Sequence, residues 1–354
     1  MKQANLYVFI VVIVFSLFDS AFAQKGIFFL EVGNRKVLDC KYEEAIMNFD
    51  KAIELNPQFT EAYFNRGCAY LELGYHGYAI GDFTKAIELD PADASAYINR
   101  GNAYFEMFDF KNAITDFTRA IDFQPDDADA YYNRGLCFES QKLYNAALSD
   151  YKNALTIDPD YSAAYTSISE IYARTNKYEL AITNITRTIL LNPSDADAYL
   201  LRANYYKEIK KYSSTLQDFS ESIKHDPENV FAYIGRASLY NEQGLFAKAI
   251  EDLDLAISLN PDLQIAYCER GYSYFQLKQY EKSFADLNYY IDLNSKNPVA
   301  FKYRGLLNYN TGNFKEAIDD LKKAVYLSPT LSFELGEKIM QANEKFQLAA
   351  ASKK

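Results

Sequence analysis

Apolar residues recur along most of this chain at helical spacing, in two stretches joined by a short turn. "ASAYINRGNAYFEM" (94–107) and "FKNAITDFTRAIDF" (110–123) each place apolar side chains three and four residues apart, which makes one face of a helix. The same double stretch returns every 34 residues. Counting Gly26 as position 1, nine repeats follow without insertion or deletion to Leu331: 26–59, 60–93, 94–127, 128–161, 162–195, 196–229, 230–263, 264–297 and 298–331. Proline stands at position 32 in eight of them; only Ser295 breaks the series, with Pro298 three residues later. Proline cannot continue a helix, so it separates one helix pair from the next, and Asp93, Asp127 and Asp195 just beyond it are placed to cap the following helix. Each repeat is predicted to be a helical hairpin. A lone hairpin cannot bury its apolar face, whereas a stack of nine builds a continuous core between neighbours.

Small residues mark where the helices approach. Position 8 carries Gly33, Gly67, Gly101, Gly135, Gly271 and Gly305, with Ser169, Ala203 and Ala237 in the other repeats. Glycine inside a helix costs about 1 kcal/mol relative to alanine, so these glycines need an offsetting cause, and close approach of the second helix supplies one. That helix has alanine at position 20 (Ala45, Ala79, Ala113, Ala147) and a large ring at position 24 (Phe49, Phe83, Phe117, Tyr151, Phe219) to fill the space beside the contact. Position 7 is arginine in seven repeats (Arg66, Arg100, Arg134, Arg202, Arg236, Arg270, Arg304), and position 23 is aspartate in the same seven. The two exceptions coincide, Val32 with Asn48 and Ile168 with Asn184. Positions that change together imply contact, so an Arg–Asp bridge is expected between the helices of each hairpin. The competing use of these arginines, an anion-binding stripe in a groove, leaves the matching aspartates unexplained.

An aromatic residue at position 4 (Tyr63, Tyr97, Tyr131), glycine at 8, tyrosine at 11 (Tyr70, Tyr104, Tyr172), alanine at 20 and 27 and proline at 32 together give a pattern that resembles the tetratricopeptide repeat family, from Gly26 to Leu331. The resemblance implies an all-α, right-handed α-α superhelix: a solenoid of nine helix-turn-helix repeats whose first helices line a concave groove. It further implies a non-catalytic scaffold that binds an extended peptide or a partner protein surface. Residues 332–350 resemble the polar-backed capping helix of such arrays, with Leu335, Ile339, Ala342 and Phe346 on one stripe, followed by a tail, 351–354. The clamp by which some members hold chaperone C-termini needs lysine at position 5 followed by asparagine at position 9. Here position 5 holds Leu30, Phe64, Ile98, Tyr132, Thr166, Leu200, Ile234 and Cys268, with Lys302 only in the last repeat, so that clamp is absent.

Helical geometry turns positions 2, 5, 6, 9, 12 and 13 of the first helix away from the second. Asn65, Asn99 and Asn133 hold position 6 in consecutive repeats, with Asn34 and Asn102 at position 9. An asparagine side chain offers a donor and an acceptor, so a ladder of them pairs with the N–H and C=O of one extended peptide. Phe64, Ile98, Tyr132, Leu71 and Phe105 would then contact alternate ligand side chains. The plain alternative makes these asparagines solvated helix residues without a ligand. A second, more aromatic surface is expected in repeats 7 to 9, around Phe231, Ile265, Val299, Tyr272, Phe275, Tyr303 and Tyr309. Packing against the closing helix is the other use for those rings.

Charge and composition narrow the classes. The net charge is −11, acidic and basic residues alternate, and no basic stripe exists to meet a phosphate backbone, which argues against nucleic acid. The two histidines, His76 and His225, have no partner at metal or nucleophile spacing, and no phosphate-binding glycine loop occurs. No catalytic residue, metal or cofactor is expected. Cys40, Cys68, Cys137 and Cys268 match no metal or redox spacing and read as free structural thiols, two disulfides being the alternative in an exported chain. Residues 1–23 carry Lys2, an apolar run from Leu6 to Phe18 and the small-residue ending Ala21, Phe22, Ala23, which reads as a signal peptide cleaved before Gln24. An uncleaved anchor is the alternative. The mature chain is then expected in the periplasm or outside the cell, serving envelope assembly, or in the lumen of the endoplasmic reticulum of a eukaryote. A self-assembling array joined through its end repeats and an accessory subunit of an enzyme are the rival classes. Ser169 and Ile185 replace the glycine of position 8 and the large ring of position 24, and Thr188, Thr215 and Ser222 replace the alanine of positions 27 and 20, which predicts a softer middle in repeats 5 and 6.

Overall fold

The computed structural model describes residues 24–351, so the expected signal peptide, 1–23, lies outside the described residues, as do the last three residues of the tail. Described residues are helix and turn, with no strand. Repeat 1 contributes α1 (24–38) and α2 (Tyr42–Leu55). The next three repeats pair α3 (Thr60–Glu72) with α4 (His76–Leu89), α5 (Ala94–Glu106) with α6 (Phe110–Phe123), and α7 (Ala128–Ser140) with α8 (Tyr144–Ile157). Repeats 5 to 7 hold α9 (Ser162–Arg174), α10 (Tyr178–Leu191), α11 (Ala196–Glu208), α12 (Tyr212–His225), α13 (Val230–Glu242) and α14 (Phe246–Leu259). α15 (Gln264–Gln276), α16 (Tyr280–Leu293), α17 (Pro298–Asn310) and α18 (Phe314–Leu327) complete the array, and a short 3-10 turn leads into α19 (Ser332–Ala351).

The chain forms two compact units, one ending at Ile171 and one beginning at Tyr172. Within the first, α3 packs on α4, α5 on α6 and α7 on α8, while α4 packs on α5 and α6 on α7. The first helices α3, α5 and α7 also touch one another in order and so make a continuous wall. In the second unit α11, α13, α15 and α17 do the same, each backed by its own second helix. The fold is an all-α solenoid of tandem helix pairs.

Each boundary has a local cause. The Asp93 carboxylate accepts from the backbone N–H of Ser95 at 2.9 Å, Asp127 from Ala130 and Asp195 from Ala198, capping α5, α7 and α11 as the sequence predicts. Where Ser295 replaces the usual proline, Pro298 opens α17 at its first turn, the one helical site that tolerates it. The turn inside each hairpin was less legible. Position 15 has positive φ in every repeat, through Gly74, Gly244 and Gly312 but also Cys40, Phe108, Lys142, Asn176, Lys210 and Lys278, so only three glycines advertise it.

The position 8 glycines lie under the position 24 side chain of their own repeat. A Cβ on Gly67 or Gly101 would stand 2.8 Å from the ring of Phe83 or Phe117, and one on Gly135 would stand 2.6 Å from Tyr151. These rings are fully buried. Phe219 departs from the expectation. Its own repeat has Ala203 at position 8, and the ring lies instead over Gly235 of the next repeat, where a Cβ would meet it at 2.5 Å. The methyl group of Ala203 closes one seat and the missing side chain of Gly235 opens another.

α19 packs on α18 through Leu335, Ile339 and Ala342. Phe346 is 37% exposed, and the outer face carries Phe333, Met340 and Leu348, so the expected polar back is interrupted by apolar side chains. All four cysteines are free thiols; Cys137 and Cys268 are buried and Cys40 is exposed. No helix of the described residues is long and apolar enough to cross a membrane.

Candidate functional site

The repeated arginine is held inside the scaffold. Arg100 donates from Nε to Asp116 Oδ2 at 2.7 Å and from Nη2 to Oδ1 at 2.8 Å, and Arg134 makes the same two-pronged pair with Asp150 at 2.8 Å. Arg66, Arg202, Arg236, Arg270 and Arg304 repeat the geometry with Asp82, Asp218, Asp252, Asp286 and Asp320. Hydrogen bonds donated to Asp116 hold the Arg100 guanidinium above its ordinary range against the opposing effect of burial. A third prong goes unseen in the sequence pairing. Nη1 reaches position 25 of the preceding repeat: Thr84 from Arg100, Thr118 from Arg134, Thr186 from Arg202, Ser220 from Arg236, Asp254 from Arg270 and Asn288 from Arg304. Position 25 turns to Lys152 in the repeat directly ahead of Ile168, where the arginine is missing. With both faces of the fork engaged, these arginines leave no anion-binding stripe.

The asparagines of the first unit largely meet each other. Asn65 Nδ2 donates to Asn34 Oδ1 at 2.8 Å, and Asn133 Nδ2 donates to Asn102 Oδ1 at 3.3 Å, each bond joining adjacent repeats. For Asn99 the preceding repeat has Cys68 at position 9 in place of asparagine, and the amide instead donates to the Ser95 carbonyl of its own helix at 2.9 Å. Each paired amide uses one of its donors or acceptors and keeps the rest. The apolar candidates are half-buried. The Phe64 ring lies 5.7 Å from Phe83, Tyr132 lies 5.5 Å from Tyr151 and 5.0 Å from Tyr161, and Phe105 lies 5.6 Å from Phe110. Ile98 packs beside Ala94 and Ile121, while Leu71 is half-buried on the same wall.

Two recesses open on the first-helix wall. One, of about 270 Å³ in the first unit, is lined by Asn34, Val37 and Leu38 of α1 and by Asn65 and Cys68 of α3. The other, of about 260 Å³ in the second unit, takes Ser238, Asn241 and Glu242 from α13, Cys268, Glu269 and Tyr272 from α15, and Val299 and Tyr303 from α17. Every lining residue of both stands at position 2, 5, 6, 9, 12 or 13. The second recess was singled out in the sequence only through Val299, Tyr272 and Tyr303. Applying the position set to repeats 7 to 9 would also have found Ser238, Asn241, Glu242 and Glu269. Phe231, Ile265 and Val299 on the same wall are exposed. Tyr309 is not available there: Lys338 and Lys345 of α19 lie over its ring at 4.2 and 4.6 Å.

Burial pushes the Cys268 thiol up to about 12, with the nearby Glu269 carboxylate adding to it, so this sulfur is protonated and inert at neutral pH. Burial likewise raises the Tyr303 phenol, reinforced by Tyr272, Glu269 and Glu334. No group of three His, Cys, Asp or Glu among the described residues is arranged to hold a metal ion.

Sequence profiles of the tetratricopeptide repeat match residues 60–93, 94–127, 128–161, 232–263, 265–297 and 304–331, and a TPR repeat profile matches 41–74, together more than half of the chain. The chain belongs to the tetratricopeptide repeat family. No curated protein matches it. Among solved structures, the C-terminal part of a TPR repeat-containing protein from Cytophaga hutchinsonii has TM-score 0.58 at 16% identity, covering 68% of this chain and 98% of that one. A tetratricopeptide repeat protein from Parabacteroides merdae has TM-score 0.52 at 19% identity, covering 70% and 98%. Both share the fold. A crystal structure of MamA is 27% identical over 47% of this chain and 97% of that one, with TM-score 0.45. As a tetratricopeptide array the chain is a protein-interaction scaffold, and the first-helix wall is the face on which its uncommitted polar and aromatic side chains collect.

Proposed function

We propose that this tetratricopeptide array is a non-catalytic scaffold that holds an extended segment of a partner protein along the wall of its first helices. The observation that carries the reading is the recess of repeats 7 to 9, whose lining comes from first helices alone and mixes polar side chains with aromatic rings. Such a surface grips backbone by hydrogen bonds and side chains by apolar contact. In the first unit the amide pairs Asn34–Asn65 and Asn102–Asn133 offer similar hydrogen-bonding groups on its own first helices. At about 1 kcal/mol net per hydrogen bond, such contacts supply only a few of the roughly 8 kcal/mol that micromolar affinity needs, so apolar contacts on the same wall must supply the rest. The reading of residues 1–23 as a signal peptide supports a site of action outside the cytoplasm, in envelope assembly.

A random peptide library carrying a photoreactive benzophenone tests the reading with the full chain. Crosslinks are expected on first-helix residues at positions 2, 5, 6, 9, 12 and 13, Asn99 among them. Crosslinks confined to the second helices or to the hairpin turns would overturn it. Replacing Asn65, Asn99 and Asn133 together by alanine is expected to weaken many peptides equally, because amides read backbone and not sequence.

A further inference from the structure

We infer that the recess of repeats 7 to 9 receives a single arginine side chain of the bound peptide, an assignment that rests on the scaffold reading above and specifies its ligand. The charges around the recess are nearly balanced. Lys207 Nζ meets Glu242 Oε1 at 3.1 Å and donates to Ser238 Oγ at 3.1 Å, and Lys302 Nζ meets Glu334 Oε1 at 2.5 Å while lying 5.5 Å from the Tyr303 ring centroid. Each ammonium is thereby neutralised by its own carboxylate. Glu269 is left over. Three carboxylates against two ammoniums leave one negative charge, and it belongs to the half-buried side chain that lies between the two ion pairs in repeat order.

Glu269 is also held in place. Asn241, itself 5% exposed, donates from Nδ2 to Glu269 Oε2 at 3.0 Å. Asn241 cannot swing away, because its Oδ1 accepts from Ser273 Oγ at 2.7 Å. One carboxylate oxygen is thus fixed, while Oε1 has no partner among the described residues and keeps its acceptor sites. A half-buried carboxylate with a free oxygen and no cation is incomplete, since burial penalises an unpaired charge. Beside it the Tyr272 and Tyr303 rings, 4.5 Å apart at 37°, line the same opening with their electron-rich π-systems. A guanidinium suits both features better than an ammonium does: it is planar, less strongly hydrated, stacks on aromatic faces and offers N–H donors in a fixed fork. The volume of about 260 Å³ admits one long side chain.

Selection of a random peptide phage library on the full chain, followed by synthesis of the enriched peptides, tests the inference. Enriched peptides that crosslink to Tyr272 or Tyr303 are expected to carry arginine at one shared position. Changing that arginine to citrulline, which keeps the shape and removes the charge, should weaken binding by about tenfold or more. Glu269→Gln should weaken the arginine peptide by a similar factor and leave the citrulline peptide unchanged. Tyr272→Leu, which keeps the apolar bulk, should cost the arginine peptide more than its lysine version. Peptides that crosslink in this recess without a basic residue, or that tolerate citrulline, would overturn the arginine assignment while leaving the scaffold reading intact. Peptides that crosslink only away from the first-helix wall, or no enrichment at all, would overturn both.

Discussion

Gly101 and Phe117 show how one absent methyl group sets the distance between two helices. The ring is fully buried and a Cβ on Gly101 would stand 2.8 Å from it, so neither group can yield. Gly101→Ala gains about 1 kcal/mol of helix propensity but overpacks the contact at a cost of about 1–3 kcal/mol, so net destabilisation is expected in urea unfolding. Adding Phe117→Leu should recover part of the loss, because repeat 7 already combines Ala237 with Leu253 at the same two positions. No recovery would show that the glycine serves some purpose other than seating the ring. That a close contact occurs at position 8 was readable from the repeated glycine. That Phe219 crosses to Gly235 was not, because the choice between two seats depends on which neighbour lacks a Cβ.

At the scale of the element, the arginine of position 7 ties three helices. In repeat 4 it joins α7 to α8 through Asp150 and to α6 through Thr118, whose own hydroxyl donates to the Ile114 carbonyl at 2.7 Å and leaves its lone pairs for Arg134. The Asp150 side chain is 5% exposed, so stripping it of its cation leaves a buried charge. Arg134→Met is therefore expected to cost about 3–5 kcal/mol, and the double change with Asp150→Leu to cost less than the single one. Equal or greater loss in the double variant would show that the two residues do not act as a pair. The Arg–Asp half of this clamp was legible because the exceptions coincide. Its third prong was harder to read because Thr, Ser, Asp and Asn all serve at position 25, and a position that needs only an oxygen shows no single residue type.

Across the whole molecule, the repeats are unequal in their cores. Alanine fills positions 20 and 27 in most of them, whereas Thr188, Thr215 and Ser222 are buried at these positions in repeats 5 and 6. Ser222 Oγ finds no hydrogen-bond partner among the described residues, which costs about 1–3 kcal/mol for a buried hydroxyl. Because such arrays are stabilised between nearest neighbours, the amides of α10 and α12 are expected to exchange with deuterium before those of α6 and α14, which keep alanine at both positions. Uniform protection across all repeats would contradict this.

The sequence by itself determined the register: the 34-residue period, the caps at Asp93, Asp127 and Asp195, the glycine seats and the Arg–Asp pairs all follow from local chemistry repeated at a fixed interval. It also determined which six positions of each first helix face away from the second, since helical geometry alone dictates that. The tertiary structure decided what those positions do. Whether Asn65 meets a ligand, its own helix or Asn34 depends on a residue 31 places away in the next helix of the wall, and whether Glu269 is satisfied depends on Asn241, 28 places away. Side-chain commitments of that kind arise only when neighbouring repeats come together, because no single repeat contains both partners.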